Sequence, residues 1–363
     1  MRIAIVKLSA LGDIVHAMIV LQFIKSAHPD LTIDWFVDEK LKGVLDHNPH
    51  INKIQTIRLK EAKKNKSLWL LLKEMAKLRR FKKYDLVIDL QNLIKSAIIA
   101  NFIPSIKTIG LDKSSSREKL ASLFYSQKFK IDHSSNAIRR NIAIINFALS
   151  MKVSDEDIIN KEPFLFFNTN INFDSLISNK SMILLIPGSS FKAKMYPAER
   201  YAEIANKING NFFVVWGCES ERLVAEKIKL LSPQVNVVNR LTFNELKSFI
   251  SRASLVIGGD TGPVHMAWGL NIPSILLFGP TPGSRNSYKT LSNLIIEFSL
   301  TNSVTSSPTL ISGDSLNFNC GLSSNDAVNI DINQNESISI PHAPLSTISN
   351  EITVSFWVYG DEN

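Results

Sequence analysis

The chain opens with a pattern that repeats. "RIAIV", Arg2 to Val6, is apolar at nearly every position, and the stretch after it, Asp13 to His28, carries apolar residues at helical spacing. The same exchange recurs four more times before residue 111. "TIDWFV", "KIQTI", "YDLVID" and "IKTIG" read as strands, and Ser67–Phe81 reads as a helix between two of them. Strands that are apolar without alternation are buried on both faces, and strands that alternate with helices pair in parallel. A polar stretch around Ser154–Asn179 interrupts the pattern. It then resumes as "SMILLI", "NFFVVW", "VNVV", "ASLVIGG" and "PSILLFG", again separated by helical segments.

The fold expected is therefore α/β, with two Rossmann-like lobes whose parallel sheets face a cleft. Residues 1–160 form the first lobe, 161–180 a linker and 181–300 a second lobe. Residues 301–363 are a divergent tail. Open α/β sheets bind ligands at the carboxyl ends of their strands, so the loops that follow the strands are where chemistry is expected.

Charge sharpens this picture. All 41 Lys and Arg lie in residues 1–300 with 26 of the 33 acids, a net of +15; the tail has only acids. A body so basic expects an anionic partner: a phosphorylated substrate, an anionic lipid surface or nucleic acid. The last has charge alone in its favour. The two cysteines, Cys218 and Cys320, have neither metal-ligand nor disulfide spacing. No apolar run reaches membrane-spanning length and the first residues do not read as a signal peptide. The expectation is a cytoplasmic protein, soluble or peripheral to a membrane.

Several loops carry candidate chemistry. In "KLSALGDIVH", Lys7 to His16, a carboxylate, Asp13, stands where a strand hands over to a helix; capping and chemistry are both open to it. "VIGGDTGPVHMAWG", Val256 to Gly269, ends a strand in glycines and places Pro263 in the first helical turn. Glycines admit a ligand to the backbone, and the free N–H groups of a helix start suit a diphosphate. The alternative is an ordinary turn with a capping Asp260 and a core His265. "IPGSSFKAKMYP" offers Ser189, Ser190, Lys192 and Lys194, either to phosphates or to solvent. "WGCESER" offers Glu219 or Glu221 to ribose hydroxyls, or to the helix dipole alone. The basic run Arg58 to Lys83, interleaved with Trp69 and Phe81, suits anionic lipid headgroups or is a solvated face. "HNPH" at His47–His50 reads as a loop, and the "DED" at Asp155–Asp157 follows no strand and is discounted as a metal motif. The missing early G-x-G-x-x-G argues against a nicotinamide dehydrogenase.

"VKLSALGDIVH", "YDLVIDLQNLIKSA", "SREKLASLFY", "KMYPAERY", "VIGGDTGPVHMAWG" and "FGPTPGS" together resemble the ADP-heptose–lipopolysaccharide heptosyltransferases of GT-B architecture, type I above type II. The likeness covers residues 1 to about 288. It implies an inverting, metal-independent transfer of heptose from ADP-heptose to a Kdo residue of Kdo-lipid A at the inner face of the cytoplasmic membrane, without a cofactor. Carried onto this sequence, it makes Asp13 the general base and places Ser189, Ser190, Lys194, Glu221, Asp260, Thr261, Gly262 and His265 at the donor, with Lys194 also bearing leaving-group charge. Lys60, Lys63, Lys64 and Arg117 match positions for the anionic acceptor.

Past Tyr288 the likeness fades. "SISIPHAP…EITVSFWVYGDEN" resembles the opening strands of a concanavalin-like (laminin-G-type) sandwich, too few to bury a core. Two rival readings follow: a related transferase using another nucleotide sugar, or an inactive ADP-binding protein whose usual C-terminus is replaced.

Overall fold

The computed structural model describes residues 1–58, 68–171, 173, 181–279, 281–290 and 292–297. Expectations for Lys60, Lys63, Lys64 and the tail 301–363 lie outside the described residues. The chain divides into two units, Met1–Thr169 and Asn170–Asn363.

The first unit is a six-stranded, all-parallel sheet in the order β3-β2-β1-β4-β5-β6. Its strands are β1 (Arg2–Val6), β2 (Thr32–Asp38), β3 (Lys53–Ile57), β4 (Tyr84–Asp89), β5 (Ser105–Leu111) and β6 (Gln127–Phe129). Helices α1 (Leu11–Met18), α2 (Val20–Ala27) and α3 (Lys42–Leu45) connect the strands that run outward from β1 in one direction. Helices α4 (Leu68–Arg79) and α5 (Ile94–Phe102) and a 3-10 turn, Lys119–Phe124, connect those that run the other way. Right-handed crossovers put the two groups on opposite faces of the sheet. α6 (Ala137–Leu149) packs with α1 and α2, while α5 packs with α4 and the 3-10 turn.

The long helix expected from Asp13 starts earlier, at Leu11, and is interrupted once at Ile19, whose φ and ψ stay right-handed helical. Asp13 is thus the third helical residue, and its Oδ2 accepts the Ala10 N–H at 3.2 Å. Ala10 at the cap has no side-chain oxygen, so this is the acidic half of a capping box. The short strand β6 escaped the sequence pattern because "QKF" has no apolar run to announce it.

The expected linker is in part core. Ser154 caps the short helix α7 (Asp155–Ile159), and the chain then lies along the first unit with Phe164 and Leu165 buried. Glu162 N–H donates to Gln22 Oε1 and the Asn48 amide donates to the Phe164 carbonyl. Here Asp155 pairs with Arg139, and Asp157 accepts from Ser154. Lys161 is 4% exposed, and burial pushes its ammonium down to about 7, with Glu162 pulling partly back. The folded protein thus holds this amine neutral where the unfolded chain protonates it. Stability from this group is complete above the unfolded value near 10.5 and is lost as pH falls through the folded one. Lys161→Met is expected to flatten the rise in denaturant midpoint between about pH 7 and pH 10, read by urea unfolding across that range.

A buried carboxylate braces the end of β4. Asp89 accepts from the Tyr125 and Ser96 hydroxyls and from the Gln91 and Asn92 N–H groups, at 2.7–3.1 Å. Burial pushes its carboxyl up, and these bonds pull it partly back. Tyr125 reaches Asp89 only because Gly110 has no side chain: a Cβ there would overlap the Tyr125 ring. Gly110→Ala should displace the ring, strip a bond from the buried acid and cost about 3–5 kcal/mol, visible as a large drop in Tm.

The second unit repeats the design, β12-β11-β10-β7-β8-β9, also parallel throughout. Its strands are β7 (Met182–Ile186), β8 (Asn211–Val214), β9 (Asn236–Val237), β10 (Leu255–Gly259), β11 (Ser274–Phe278) and β12 (Asn293–Glu297). Helices α8 (Ala198–Lys207), α9 (Glu219–Leu231), α10 (Phe243–Ile250), α11 (Gly262–Gly269) and α12 (Gly283–Asn286) complete it. Its core gathers Ile183, Leu185, Tyr201, Phe212, Leu255 and Ile275.

Candidate functional site

In each unit the order of strands reverses at one place. Strands run outward from β1 on one side and from β4 on the other; in the second unit the pair is β7 and β10. Loops leaving the carboxyl ends of such a pair diverge and open a crevice. The sequence candidates fall on these four loops and their neighbours.

In the second unit, Gly258 stands opposite Ile186 in the ladder, so the turn Gly259–Thr261 lies beside the loop that begins at Pro187. A Cβ on Gly258 would come within 2.8 Å of the Ile186 carbonyl oxygen, and one on Gly259 within 2.8 Å of the Lys194 carbonyl oxygen. These glycines let the 3-10 turn Lys192–Lys194 close over the end of β10. Lys194 Nζ then meets Asp260 Oδ2 at 2.6 Å. His265 Nε2 lies 3.0 Å from Asp260 Oδ1, and Thr281 donates to Oδ2 at 3.0 Å. Asp260 is not the cap of α11. Thr261 occupies that position without a side-chain bond, Gly262 begins the helix, and Pro263 sits in its first turn. Burial alone would push the Asp260 carboxyl up. The hydrogen bonds and charges of His265 and Lys194 outweigh it and hold the group well below the usual carboxylate range.

Two further observations belong to this crevice. Ser189 Oγ is buried and makes no hydrogen bond among the described residues. Buried hydroxyls are rarely left so, and one at a loop crevice suits a ligand oxygen. Ser190 beside it is exposed. Of the two acids in the first turn of α9, Glu219 pairs with Arg222 in solvent. Glu221 turns back instead: its Oε2 accepts the Gly217 N–H at 2.7 Å, and its carboxylate lies against Gly188, where a Cβ would collide with it. The structure therefore brings Ser189, Glu221, Lys194, Asp260, Thr261, Gly262 and His265 to one end of one sheet.

In the first unit Val6 stands opposite Asp89, which sets the loop Lys7–Ala10 beside Leu90–Leu93. Lys7 is buried, with Nζ donating to the Leu90 carbonyl. Gln91 Oε1 accepts the N–H groups of Leu8 and Ser9 at 2.8 and 3.0 Å, and Lys95 Nζ donates to Ser9 Oγ at 3.3 Å. Asp13 is exposed, with one carboxylate oxygen on Ala10 and the other without a hydrogen-bond partner among the described residues. Arg117 is exposed in the loop after β5 and has no ion-pair partner among the described residues. His47 adopts φ 70° in a surface turn, and His50 packs edge-on to Phe166.

Sequence reasoning missed Thr281, Gln91 and Lys95. All three stand in stretches quoted above, "FGPTPGS" and "YDLVIDLQNLIKSA", but their partners are 21 to 86 residues away. Only strand order makes them neighbours.

Among the described residues no helix is long and apolar enough to cross a membrane. The profile of glycosyltransferase family 9 (heptosyltransferase) matches residues 72–309. Lipopolysaccharide heptosyltransferase 1 of Campylobacter coli is 37% identical over 313 residues, covering 82% of this chain and 89% of that protein. The Pseudomonas aeruginosa protein of the same name is 28% identical over 307 residues, covering 79% and 81%. Among solved structures, the E. coli heptosyltransferase WaaC with ADP aligns with a TM-score of 0.70 at 24% identity, covering 82% of this chain and 93% of that one. With two parallel-sheet units, a glycine-flanked crevice on the second, and these likenesses across most of its length, the chain belongs to glycosyltransferase family 9, the heptosyltransferases.

Proposed function

We propose that this enzyme transfers heptose from ADP-heptose to a Kdo residue of Kdo-lipid A during assembly of the lipopolysaccharide inner core, with inversion at the anomeric carbon. The observation that carries the reading is the second unit's crevice: a cation, Lys194, and the start of α11 beside the unmet Ser189 hydroxyl. A diphosphate satisfies all three at once. Ser190 adds a second hydroxyl, Glu221 takes the ribose, and Thr261, Gly262 and His265 line the turn against diphosphate and heptose. Asp260 fixes Lys194 and His265 in place. As the glycosidic C–O bond breaks, negative charge grows on the β-phosphate, and Lys194 with the helix N-terminus stabilises it.

Asp13 supplies the other half. Its uncommitted oxygen takes the proton from the acceptor hydroxyl as that oxygen attacks C1. Arg117, with Lys60, Lys63 and Lys64, neutralises the acceptor's carboxylates and phosphates, which agrees with the net +15 of residues 1–300. Such an acceptor sits in a bilayer, so the protein works peripherally at the inner face of the cytoplasmic membrane. The relatives named lipopolysaccharide heptosyltransferase 1 and the E. coli enzyme solved with ADP and with ADP-2-deoxy-2-fluoro heptose support the donor.

The test is a transfer assay with Kdo-lipid A, comparing ADP-heptose with UDP- and GDP-sugars. Product from ADP-heptose alone, absent when the acceptor lacks Kdo, is expected. ADP binding without turnover, or equal use of a uridine or guanosine donor, overturns the reading.

A further inference from the structure

We propose that the sheet face covered by α4, α5 and the 3-10 turn of the first unit is a docking surface for an anionic phospholipid bilayer, entered by Trp69, Leu120 and Leu123. The proposal rests on the lipid-borne acceptor argued above and adds the surface by which the enzyme reaches it.

The apolar side chains come first. Leu120 is 60% exposed, Leu123 72% and Trp69 69%. Leu120 and Leu123 are three apart in a 3-10 turn of three residues per revolution, so they eclipse and point the same way. The inner side of that turn is well packed, with Ala121 and Tyr125 buried on Ala97 of α5. The two leucines are therefore not displaced core residues; the turn is anchored on one side and presents them on the other. On the opposite sheet face the large exposed ring among the described residues, Phe147 at 44%, rests against Phe129.

Charge identifies the occupant. The elements on this face and the loop leading to the 3-10 turn carry Lys73, Lys77, Arg79, Lys95, Lys113, Arg117 and Lys119, most of them exposed. Their acids are spent locally: Glu74 is buried, Asp112 accepts from Ser114 and Ser115, and Glu118 accepts the Ile94 N–H at the start of α5. Lys73 Nζ stands 5.1 Å over the Trp69 ring. Apolar anchors rimmed by cations, with an indole among them, match the boundary between acyl chains and anionic headgroups. A protein partner would need a complementary acidic surface, and a second copy, itself strongly basic, offers none on this face.

The experiment is sedimentation of the full chain with phosphatidylglycerol-containing vesicles and with pure phosphatidylcholine vesicles, comparing wild type, Leu120→Ser/Leu123→Ser and Trp69→Ser. Expected is binding to the anionic vesicles that weakens about tenfold or more in the double variant and weakens in Trp69→Ser. Transfer to a water-soluble Kdo acceptor without acyl chains should stay unchanged in both. No vesicle binding by wild type, or binding indifferent to these residues, overturns the surface. So does loss of a dimer in the double variant with vesicle binding intact. Absence of transfer to the soluble acceptor by wild type, with leucine-dependent vesicle binding, sinks the functional reading and leaves the surface standing.

Discussion

Asp13→Asn is expected to lower kcat by about a hundredfold to ten-thousandfold while leaving ADP affinity where it was. The choice of Asn separates two roles that the same carboxylate can hold. Asp13 accepts the Ala10 N–H at 3.2 Å and so closes the first turn of α1. An amide oxygen can still accept that bond, more weakly than a carboxylate, so the helix start survives. What Asn cannot do is take a proton from an attacking hydroxyl. Steady-state kinetics at saturating donor, with calorimetric ADP titration and a thermal melt on the same protein, read the three properties apart. Wild-type turnover in this variant would reduce Asp13 to a cap. A lowered Tm with proportionate loss of activity would say the same.

Lys194→Met should cost about a hundredfold to a thousandfold in kcat and also weaken ADP. Here the cation is held before any ligand arrives, 2.6 Å from Asp260, with 19% of its side chain exposed. A cation positioned in advance needs little reorganisation when charge develops, which is why its removal is felt in turnover as well as in binding. Asp260 keeps His265 and Thr281 in the variant, so the turn should survive. The pH dependence has a definite sign. A carboxyl held below its unfolded value adds stability above about pH 4, lost only as pH falls toward the folded value. Lys194→Met raises that folded value toward the ordinary one. The variant should therefore lose stability at neutral pH, and its deficit should close in strong acid, read from urea midpoints at both ends. A deficit that grows in acid would contradict the pairing.

Much of the architecture was open to reading because burial on both faces leaves a mark in composition. After their first residue, "RIAIV", "SMILLI" and "SILLF" have no polar positions to face water, and that implies parallel strands under helices. β6 was harder, since a short edge strand such as "QKF" needs no such run, whereas "VNVV" announced β9, which is also short. "NLIIE" of β12 does have one, and it lies inside the family match, which runs to residue 309 and so past Tyr288, where the motifs end. The glycine pair at 258–259 was legible as a close approach of a ligand to the backbone; the structure shows the Ile186 and Lys194 carbonyl oxygens making that approach.

What the residue order determined, then, is which segments are strands and helices, that the sheets are parallel, and that certain loops bear glycine, hydroxyl and charge at their strand ends. Which of those loops meet was decided by strand order alone. Lys194 finds Asp260 across 66 residues, and Gln91 holds Leu8 across 83, because β7 lies beside β10 and β1 beside β4. Buried parallel strands look alike along a chain, since each satisfies its backbone with any neighbour and packs either face. The neighbour is chosen by crossover handedness and by how helices fill the two faces, and those are properties of the assembled unit.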